Sequence, residues 1–191
     1  MNTEYFVTAA APMNKDVHRW FHAIGIDITE IYGMTEDTGP ATIGVPGNAA
    51  ESFSKKLKVD GLEVPSVLNP IGKVGIPIPG TEVKVLDDGE LCIKGNHVAQ
   101  GYYKSEEQTK ETFDEDGWLH TGDLAEIDED GFVKIIGRKK EILITSAGKN
   151  IAPVEIEDLV KPHPLIGQVC VVGDGKKLSL IHISEPTRQF A

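Results

Sequence analysis

The sequence predicts an α/β fold in three parts: the end of a parallel-sheet domain, a small antiparallel β subdomain, and the start of an α+β C-terminal domain. Near the N-terminus a strand, a helix and a second strand follow one another with short joins. The middle of the chain is a series of short β runs separated by Asp-Gly dipeptides. A basic link and a new helix then follow, which indicates a boundary near Gly137.

The first part is predicted to be a β-α-β unit. EYFVTAA has the composition of a strand, and IDITEIYG alternates apolar and polar residues as a second strand does. Between them, Asn14 stands at a helix N-cap position and Gly25 ends the helix. The apolar residues of this helix recur at helical spacing: Val17, Trp20, Phe21 and Ile24. Short joins make the strands parallel, so AAAP and YGMTE both lie at carboxyl ends, where such sheets bind ligands.

The predicted β subdomain covers the runs TEVKVLDD, GELCIKG, WLHTGDLAEID and GFVKIIG. Asp-Gly dipeptides at 88–89, 116–117 and 130–131 are typical of hairpin turns. KSEEQTKETF is expected to form one short helix, and Trp118 and Phe132 are expected in the core.

The segments on either side of this subdomain have different patterns. Residues 44–70 are rich in Gly, Pro, Ser and Lys, which predicts a long loop. Beyond Gly137 a helix is expected to begin near Pro153, followed by a strand in QVCVVGD.

The composition argues against binding to nucleic acid. Lys and Arg total 19 against 30 Asp and Glu, for a formal net charge of -11. No apolar run approaches the ~18 residues of a membrane-spanning helix, and MNTEYFVTAA lacks the pattern of a signal segment. Cys92 and Cys170 lie in apolar runs outside any CxxC pair, which predicts two buried, inert thiols in a reducing compartment.

Three short motifs stand at the ends or edges of the predicted elements: YGMTE (32–36), HTGD (120–123), and GRKKEI with SAGKNI beyond it (137–151). Each would arise by chance in many chains, but in this order after a β-α-β unit they form a specific pattern. The pattern resembles the adenylate-forming enzymes, which include acyl- and aryl-CoA synthetases, nonribosomal adenylation domains and luciferases. The wider match, YGMTEDTGP with GRKKEILITSAGKNIAP and VVGDGKK, is most similar to the bubblegum-type long-chain acyl-CoA synthetases.

The resemblance implies a reaction in two steps. Such enzymes join a carboxylate to AMP with release of pyrophosphate, then transfer the acyl group to the thiol of coenzyme A. ATP, Mg²⁺ and coenzyme A are therefore expected ligands. Negative charge develops on the α-phosphate during adenylation, and Mg²⁺ and fixed hydrogen-bond donors stabilise it. The parallel-sheet part would be the nucleotide-binding domain, and the C-terminal part would be mobile between the two steps.

The resemblance also assigns roles within YGMTE. Glu36 matches the glutamate linked to the metal, and Mg²⁺ on ATP takes one or two protein carboxylates. Thr35 matches the hydroxyl that contacts phosphate, and Tyr32 matches the ring against adenine. Thr35 and Glu36 are the predicted catalytic pair, with Gly33 and Met34 beside them in the nucleotide site.

Other nucleotide-binding positions are expected outside that motif. Ala10, Ala11 and Pro12 match the loop along the other side of the adenine. Asp123 matches the carboxylate that holds both ribose hydroxyls, because two acceptor oxygens suit a vicinal diol. Arg138 matches the arginine that also reaches the nucleotide.

Two further positions belong to the predicted mobile part. Lys140 matches the hinge, where a few residues absorb a domain rotation. Gly148 matches a glycine beside which pantetheine passes, and its alternative is a simple turn glycine. Lys139 is interpreted as a solvated strand-edge residue.

Simpler interpretations of the polar residues stay open. Glu36 and Asp123 could be solvated turn residues. His18 and His22 stand at a spacing that can bind metal, but no third ligand is visible, so exposed helix histidines are expected. The segment TFDEDGWLHTGD loosely resembles a calcium-binding loop, but here Thr112 stands at the first ligand position.

The chain is expected to be an internal fragment that starts at an internal Met. Residues 1–71 would be the C-terminal part of the large AMP-binding domain, 72–137 its β subdomain, and 138–177 the start of the mobile domain. Residues 178–191, which include LIHISEPTRQ, resemble a translated sequencing-adapter tail. The sequence lacks the family's Gly- and Ser/Thr-rich loop ending in Lys and its C-terminal catalytic lysine, so the chain as written is expected to be inactive.

The predicted function is that of a fragment of an ATP-dependent long-chain fatty acid–CoA ligase. The alternatives are another adenylate-forming enzyme, acting on aryl or amino acids, and a truncated, non-catalytic nucleotide-binding module. The expected partners are small molecules (fatty acid, ATP and coenzyme A) and not nucleic acid. A cytoplasmic location is expected, and peripheral association with an internal membrane is a further hypothesis.

Overall fold

The computed structural model describes residues 6–45, 70–144, 150–163 and 165–172. The chain forms two compact units, one of Met1–Thr121 with Ala125–Ile135 and one of Gly122–Leu124 with Ile136–Ala191. Most of the expected long loop, Gly148 and the expected adapter tail lie outside the described residues. The domain limits proposed from the sequence stay a prediction.

The N-terminal elements form the predicted β-α-β unit. Strand β1 (Phe6–Thr8) pairs in parallel with β2 (Ile28–Met34), and helix α1 (Lys15–Ala23) connects them. In this register Thr8 lies opposite Glu30. The parallel pairing confirms that β1 and β2 run in the same direction, so the chain leaves β1 after Thr8 toward the same end of the sheet as the carboxyl end of β2.

The ends of α1 are capped where the sequence indicated. The Asn14 side-chain oxygen accepts hydrogen bonds from the N–H groups of Asp16 (2.9 Å) and Val17 (3.2 Å). At the other end Gly25 has a φ of 83°, and its N–H donates to the carbonyl of His22 at 3.0 Å. A left-handed glycine therefore ends the helix, as predicted.

After β2 the chain reverses instead of continuing the parallel sheet. A 3₁₀ turn (Thr35–Asp37) leads into β3 (Gly39–Ile43), which runs antiparallel to β2. Strand β4 (Ile76–Pro77) pairs antiparallel with β3, which gives the order β1-β2-β3-β4. Strand β3 was not predicted from the sequence. Its reversal depends on Thr38, which adopts the left-handed conformation with a φ of 66°.

A second sheet has the strand order β5-β6-β7-β8. Its strands are β5 (Thr81–Val85), β6 (Glu90–Gly95), β7 (Leu119–Ile127) and β8 (Val133–Arg138), and β5 and β6 are antiparallel. Helix α2 (Glu106–Thr112) lies between β6 and β7 in the chain. The predicted β subdomain and its short helix are present.

The Asp-Gly dipeptides form the predicted turns. Gly89 donates its N–H to Leu86 at 2.8 Å and Gly131 donates to Asp128 at 3.0 Å. Gly117 closes a similar turn. All three glycines have φ values between 83° and 87°, a conformation that glycine adopts without steric cost.

The core of the first unit contains one of the two predicted aromatic residues. Phe132 is 1% exposed and clusters with Val45 and Ile76. Trp118 is only half-buried, and the Lys84 ammonium lies over its ring at 4.0 Å from the centroid. The prediction of a core position is confirmed for Phe132 and wrong for Trp118.

The second unit contains a short hairpin and a helix. Strands β9 (Leu143–Ile144) and β10 (Asn150–Ile151) are antiparallel, and a 3₁₀ turn (Lys139–Glu141) precedes them. Helix α3 (Pro153–Val160) has its proline in the first turn, as predicted. None of the described helices is long and apolar enough to cross a membrane.

The strand predicted in QVCVVGD is wrong over its described residues. Residues 168–172 have no regular structure, and the Val171 N–H donates to the Glu157 carboxylate at 2.8 Å instead of to a neighbouring strand. Cys170 is therefore exposed, which corrects the expectation of a buried thiol. Cys92 is fully buried in β6, as expected.

Candidate functional site

The carboxyl ends of β1 and β2 carry two of the sequence-predicted stretches. Ala10 and Tyr32 each lie two residues beyond the paired Thr8 and Glu30. Ala10–Pro12 is exposed, and Ala10 has a φ of 70°, so the chain turns there. The parallel register therefore places the AAP loop and YGMTE at the same end of the sheet, at the carboxyl ends of its parallel strands. Ligands usually bind at this position in α/β folds.

Gly33 allows a tight crossing of two backbone segments. The β2–β3 ladder has a bulge between Tyr32 and Gly33, and Gly33 lies opposite Pro40. A Cβ atom on Gly33 would lie 1.9 Å from the carbonyl oxygen of Gly39. Only glycine fits this position, and the bulge redirects the strand immediately before the 3₁₀ turn.

Asp37 closes the turn that carries Thr35 and Glu36. It is 1% exposed, and its Oδ1 accepts hydrogen bonds from the N–H groups of Met34 (3.0 Å) and Gly39 (3.2 Å). Burial raises the pKa of Asp37, and these two N–H donors oppose that shift. Its Oδ2 accepts no hydrogen bond from the described residues. Sequence reasoning missed Asp37, although aspartate often accepts backbone N–H bonds in turns.

Contacts from a distant segment hold Glu36. The Tyr102 hydroxyl donates to Glu36 Oε1 at 2.6 Å, and the Ala99 N–H donates to the Glu36 carbonyl at 2.7 Å. The Thr38 hydroxyl donates to the carbonyl of His97 at 2.7 Å. Within the described ranges nothing donates to Glu36 Oε2. The carboxylate thus has one oxygen fixed and the other available to a ligand.

This carboxylate suits magnesium bound to a nucleotide. Among the described residues no group of three His, Cys, Asp or Glu side chains could hold a metal ion. A Mg²⁺ ion at Glu36 would therefore take most of its ligands from phosphate and water, as Mg²⁺ on nucleotides commonly does. Thr35, beside Glu36, is exposed and can present its hydroxyl to phosphate.

The second unit brings together two other predicted nucleotide-binding residues. Arg138 Nε lies 2.9 Å from Asp123 Oδ1, so the guanidinium donates to the carboxylate. Asp123 is 7% exposed, whereas the Arg138 side chain is 61% exposed. The carboxylate is thus oriented by a partner that is itself accessible to a ligand. Lys140 is exposed in the 3₁₀ turn after β8, and its hinge role stays a prediction.

The helix histidines do not form the expected exposed pair. His18 is fully buried, its Nε2 donates to the Ile28 carbonyl at 2.7 Å, and its Nδ1 lies 3.3 Å from Glu30 Oε1. His22 is exposed and contacts Asp27 at 2.8 Å. The expectation of a surface position is wrong for His18, because strand β2 places Glu30 against the buried side of α1. Burial raises the pKa of Glu30.

The calcium-loop alternative has no support in the described residues. Asp114 Oδ1 accepts the Trp118 N–H at 2.8 Å, which closes a hairpin turn.

His120 packs near Glu90 (3.5 Å) and the Cys92 thiol (3.6 Å). Burial, with the nearby Glu90 carboxylate, raises the pKa of Cys92 to about 11, so this thiol is unreactive at neutral pH.

Comparison with known families accounts for this arrangement. Residues 2–103 match the AMP-binding enzyme family, and residues 140–190 match the AMP-binding enzyme C-terminal domain. The chain belongs to the AMP-binding enzyme family. The prediction of an adenylate-forming protein from YGMTE, HTGD and GRKKEI is therefore confirmed.

The similar curated proteins include acyl-CoA ligases. The AMP-binding chain is 42% identical over 175 residues to the long-chain-fatty-acid–CoA ligase FadD15 of Mycobacterium bovis, covering 92% of this chain and 26% of that protein. It is 40% identical over 171 residues to the long-chain-fatty-acid–CoA ligase ACSBG2 of Gallus gallus, covering 89% of this chain and 20% of that protein. The bubblegum-type resemblance is thus confirmed. The chain spans between a fifth and about a quarter of the length of these relatives.

Solved structures confirm the fold class. The o-succinylbenzoate–CoA synthetase of Bacillus subtilis, in complex with an acyl-adenylate, matches with a TM-score of 0.73 and 25% identity over 91% of this chain and 34% of that one. The ATP-bound MatB protein of Rhodopseudomonas palustris matches with a TM-score of 0.69 and 34% identity over 88% of this chain and 32% of that one.

Proposed function

We propose that the complete protein carrying this chain is an ATP-dependent long-chain fatty acid–CoA ligase. It would join a fatty acid to AMP with release of pyrophosphate, then transfer the acyl group to coenzyme A. The observation that carries the proposal is Glu36, whose carboxylate is fixed at Oε1 and available at Oε2 beside the exposed Thr35. Such a group suits the Mg²⁺–phosphate part of a nucleotide.

The roles of the other residues in the first unit follow from this proposal. Bound Mg²⁺ would neutralise charge on the phosphates. The Thr35 hydroxyl would donate to phosphate, and Tyr32 would lie against the adenine with Ala10–Pro12 along its other side. Gly33 and Met34 would keep the backbone of the motif close to the nucleotide. The parallel register of β1 and β2 supports these assignments, because it brings both stretches to one edge.

In the second unit, Asp123 would accept hydrogen bonds from the ribose hydroxyls. Arg138 would orient Asp123 and reach the nucleotide, and the 2.9 Å contact between them supports the paired role. Lys140 would act as the hinge and Gly148 would let pantetheine pass. A cytoplasmic location and peripheral contact with a membrane stay predictions.

The long-chain substrate is favoured over an aryl acid. The named long-chain relatives are 40% and 42% identical to the chain, and they align over most of it. The structural matches that act on aryl acids, o-succinylbenzoate–CoA synthetase and an anthranilate–CoA ligase, are 25% identical. These structures keep an aryl acid as the second candidate substrate.

The test is pyrophosphate release by the complete protein with ATP, Mg²⁺ and coenzyme A. A long-chain fatty acid should support release, and Glu36→Gln should lower the rate about 100-fold because it removes the charged metal ligand. Glu107→Gln, on the exposed side of α2, is the matched control and should keep the full rate. Release only with aryl or amino acids would contradict the fatty-acid assignment. Nucleotide binding without pyrophosphate release for any acid would identify a non-catalytic module.

A further inference from the structure

Tyr102 approaches Glu36 from a part of the chain that the recognised motifs do not include. The two residues are 66 positions apart in the sequence, and the Tyr102 hydroxyl lies 2.6 Å from Glu36 Oε1. Because a carboxylate oxygen accepts, the phenol is the donor. The distance lies in the range of charge-assisted O–H···O⁻ bonds, which are stronger than bonds between neutral groups.

Helix α2 and its flanking residues hold Tyr102 in place. Its N–H donates to Thr109 Oγ1 at 2.9 Å, and its ring meets Phe113 edge-on with centroids 5.8 Å apart. A Cβ on Gly101 would lie 2.5 Å from Thr109 Cγ2, so the approach of the backbone to the helix is also close. The phenol is thus presented to Glu36 by a rigid support.

We propose that Tyr102 is a positioning residue that makes Glu36 bind the metal–nucleotide through one oxygen. The phenol occupies Oε1, and the Ala99 N–H fixes the Glu36 carbonyl at 2.7 Å. Only Oε2 then faces the cation, in one side-chain orientation. This inference rests on the proposed function, because it needs a Mg²⁺–nucleotide at Glu36. Partners of this kind around a metal ligand typically change metal affinity or activity by about 10- to 100-fold.

A purely structural role makes a different prediction. Tyr102→Phe keeps the ring, its contact with Phe113 and the backbone bond to Thr109, and removes only the hydroxyl. If the hydroxyl served stability alone, the variant would have a lower melting temperature with an unchanged metal requirement. Tyr103→Phe is the matched control, because Tyr103 is the adjacent tyrosine and is 89% exposed.

The first experiment titrates Mg²⁺ against the rate of pyrophosphate release by the complete protein at saturating ATP and fatty acid. Tyr102→Phe should raise the Mg²⁺ concentration for half-maximal rate by about 10- to 100-fold, and Tyr103→Phe should not change it. In a Glu36→Gln background, Tyr102→Phe should add little further loss, because both substitutions act on one interaction. An unchanged half-saturating concentration in Tyr102→Phe would overturn the proposal.

The second experiment measures Mn²⁺ binding in the presence of a non-hydrolysable ATP analogue by electron paramagnetic resonance. Mn²⁺ affinity should fall by the same factor in Tyr102→Phe and stay unchanged in Tyr103→Phe. Equal affinity in the two variants would assign Tyr102 to stability alone. If no acid supports pyrophosphate release while Mn²⁺ and nucleotide still bind, the proposed function fails. The Mn²⁺ affinity of Tyr102→Phe relative to that of Tyr103→Phe then still decides the role of Tyr102. If the unsubstituted protein binds no Mn²⁺–nucleotide, both proposals are wrong.

Discussion

The buried pair of His18 and Glu30 should make stability depend on pH, and Glu30→Gln should remove that dependence. His18 is fully buried and Glu30 is 4% exposed. Because Nε2 of His18 donates to the Ile28 carbonyl, Nδ1 faces Glu30 Oε1 at 3.3 Å. Oε1 accepts no hydrogen bond from the described residues, so loss of the proton from Glu30 would leave a poorly compensated buried charge.

The contacts of Glu30 allow the size of the effect to be worked out. Its carboxylate is almost fully buried and faces the buried His18 at 3.3 Å. Glu30→Ala removes one member of this buried pair and leaves the other without its contact. The expected loss in the free energy of unfolding is about 3 kcal/mol, at the lower end for a broken buried pair. Glu30→Gln should cost less than about 1 kcal/mol, because its amide donates to His18 Nδ1.

The sign of the pH effect follows from the pKa of Glu30. Burial raises this pKa above its ordinary value of 4.5, so the folded chain keeps a proton that the unfolded chain has lost. The stability from protonated Glu30 is fully present below pH 4.5 and is lost as the pH rises through the folded pKa. Glutamine does not titrate, so Glu30→Gln should be more stable than the unsubstituted chain at the upper end of that range.

The assay is urea denaturation of the purified chain, followed by circular dichroism from pH 4 to pH 8. The difference in unfolding free energy between Glu30→Gln and the unsubstituted chain should change steadily in favour of the variant as the pH rises. Glu107→Gln, at an exposed position of α2, is the control and should follow the unsubstituted chain. Parallel curves for Glu30→Gln and the unsubstituted chain would refute the reasoning.

Three other substitutions or measurements test separate features. Gly33→Ala should lower the free energy of unfolding by about 3 kcal/mol in urea denaturation, because its Cβ would lie 1.9 Å from a backbone oxygen. In Gly25→Ala the new Cβ meets no atom within 4 Å, so the loss should be about 1 kcal/mol, from the positive φ alone. Equal losses would contradict the clash. With a thiol reagent at pH 8, the exposed Cys170 should react in the folded chain. Cys92, whose pKa is raised to about 11, should react only after the chain unfolds. Fast reaction of both thiols in the folded chain would contradict the burial of Cys92. Asp123→Asn should weaken ATP binding to the complete protein about 10-fold, measured by calorimetry. Stability should change little, because the arginine partner of Asp123 is largely exposed. An unchanged affinity would argue against the ribose contact.

Much of the local structure was predictable because its causes are close in sequence. Asn14 caps α1 through N–H groups two and three residues away. The Asp-Gly turns form where glycine adopts a positive φ. The family assignment rested on contiguous motifs and is confirmed by the match over residues 2–103.

Local reasoning failed where a distant partner decided the outcome. The helical spacing of α1 does not show that Glu30 lies against His18, so His18 was expected at the surface. The apolar run around Cys170 suggested a strand, but a strand needs a neighbour, and the Val171 N–H bonds a Glu157 side chain instead. The reversal into β3 depends on the left-handed Thr38, a conformation that non-glycine residues seldom adopt.

The candidate site shows the same division. The sequence by itself determined that Thr35 and Glu36 follow a strand at the edge of a parallel sheet, because alternation and capping are properties of neighbouring residues. Only the tertiary structure decided that Tyr102 donates to Glu36 and that Arg138 orients Asp123. Tyr102 and Glu36 are 66 positions apart in the chain. Their contact depends on how separate segments pack together, which a window of neighbouring residues does not show.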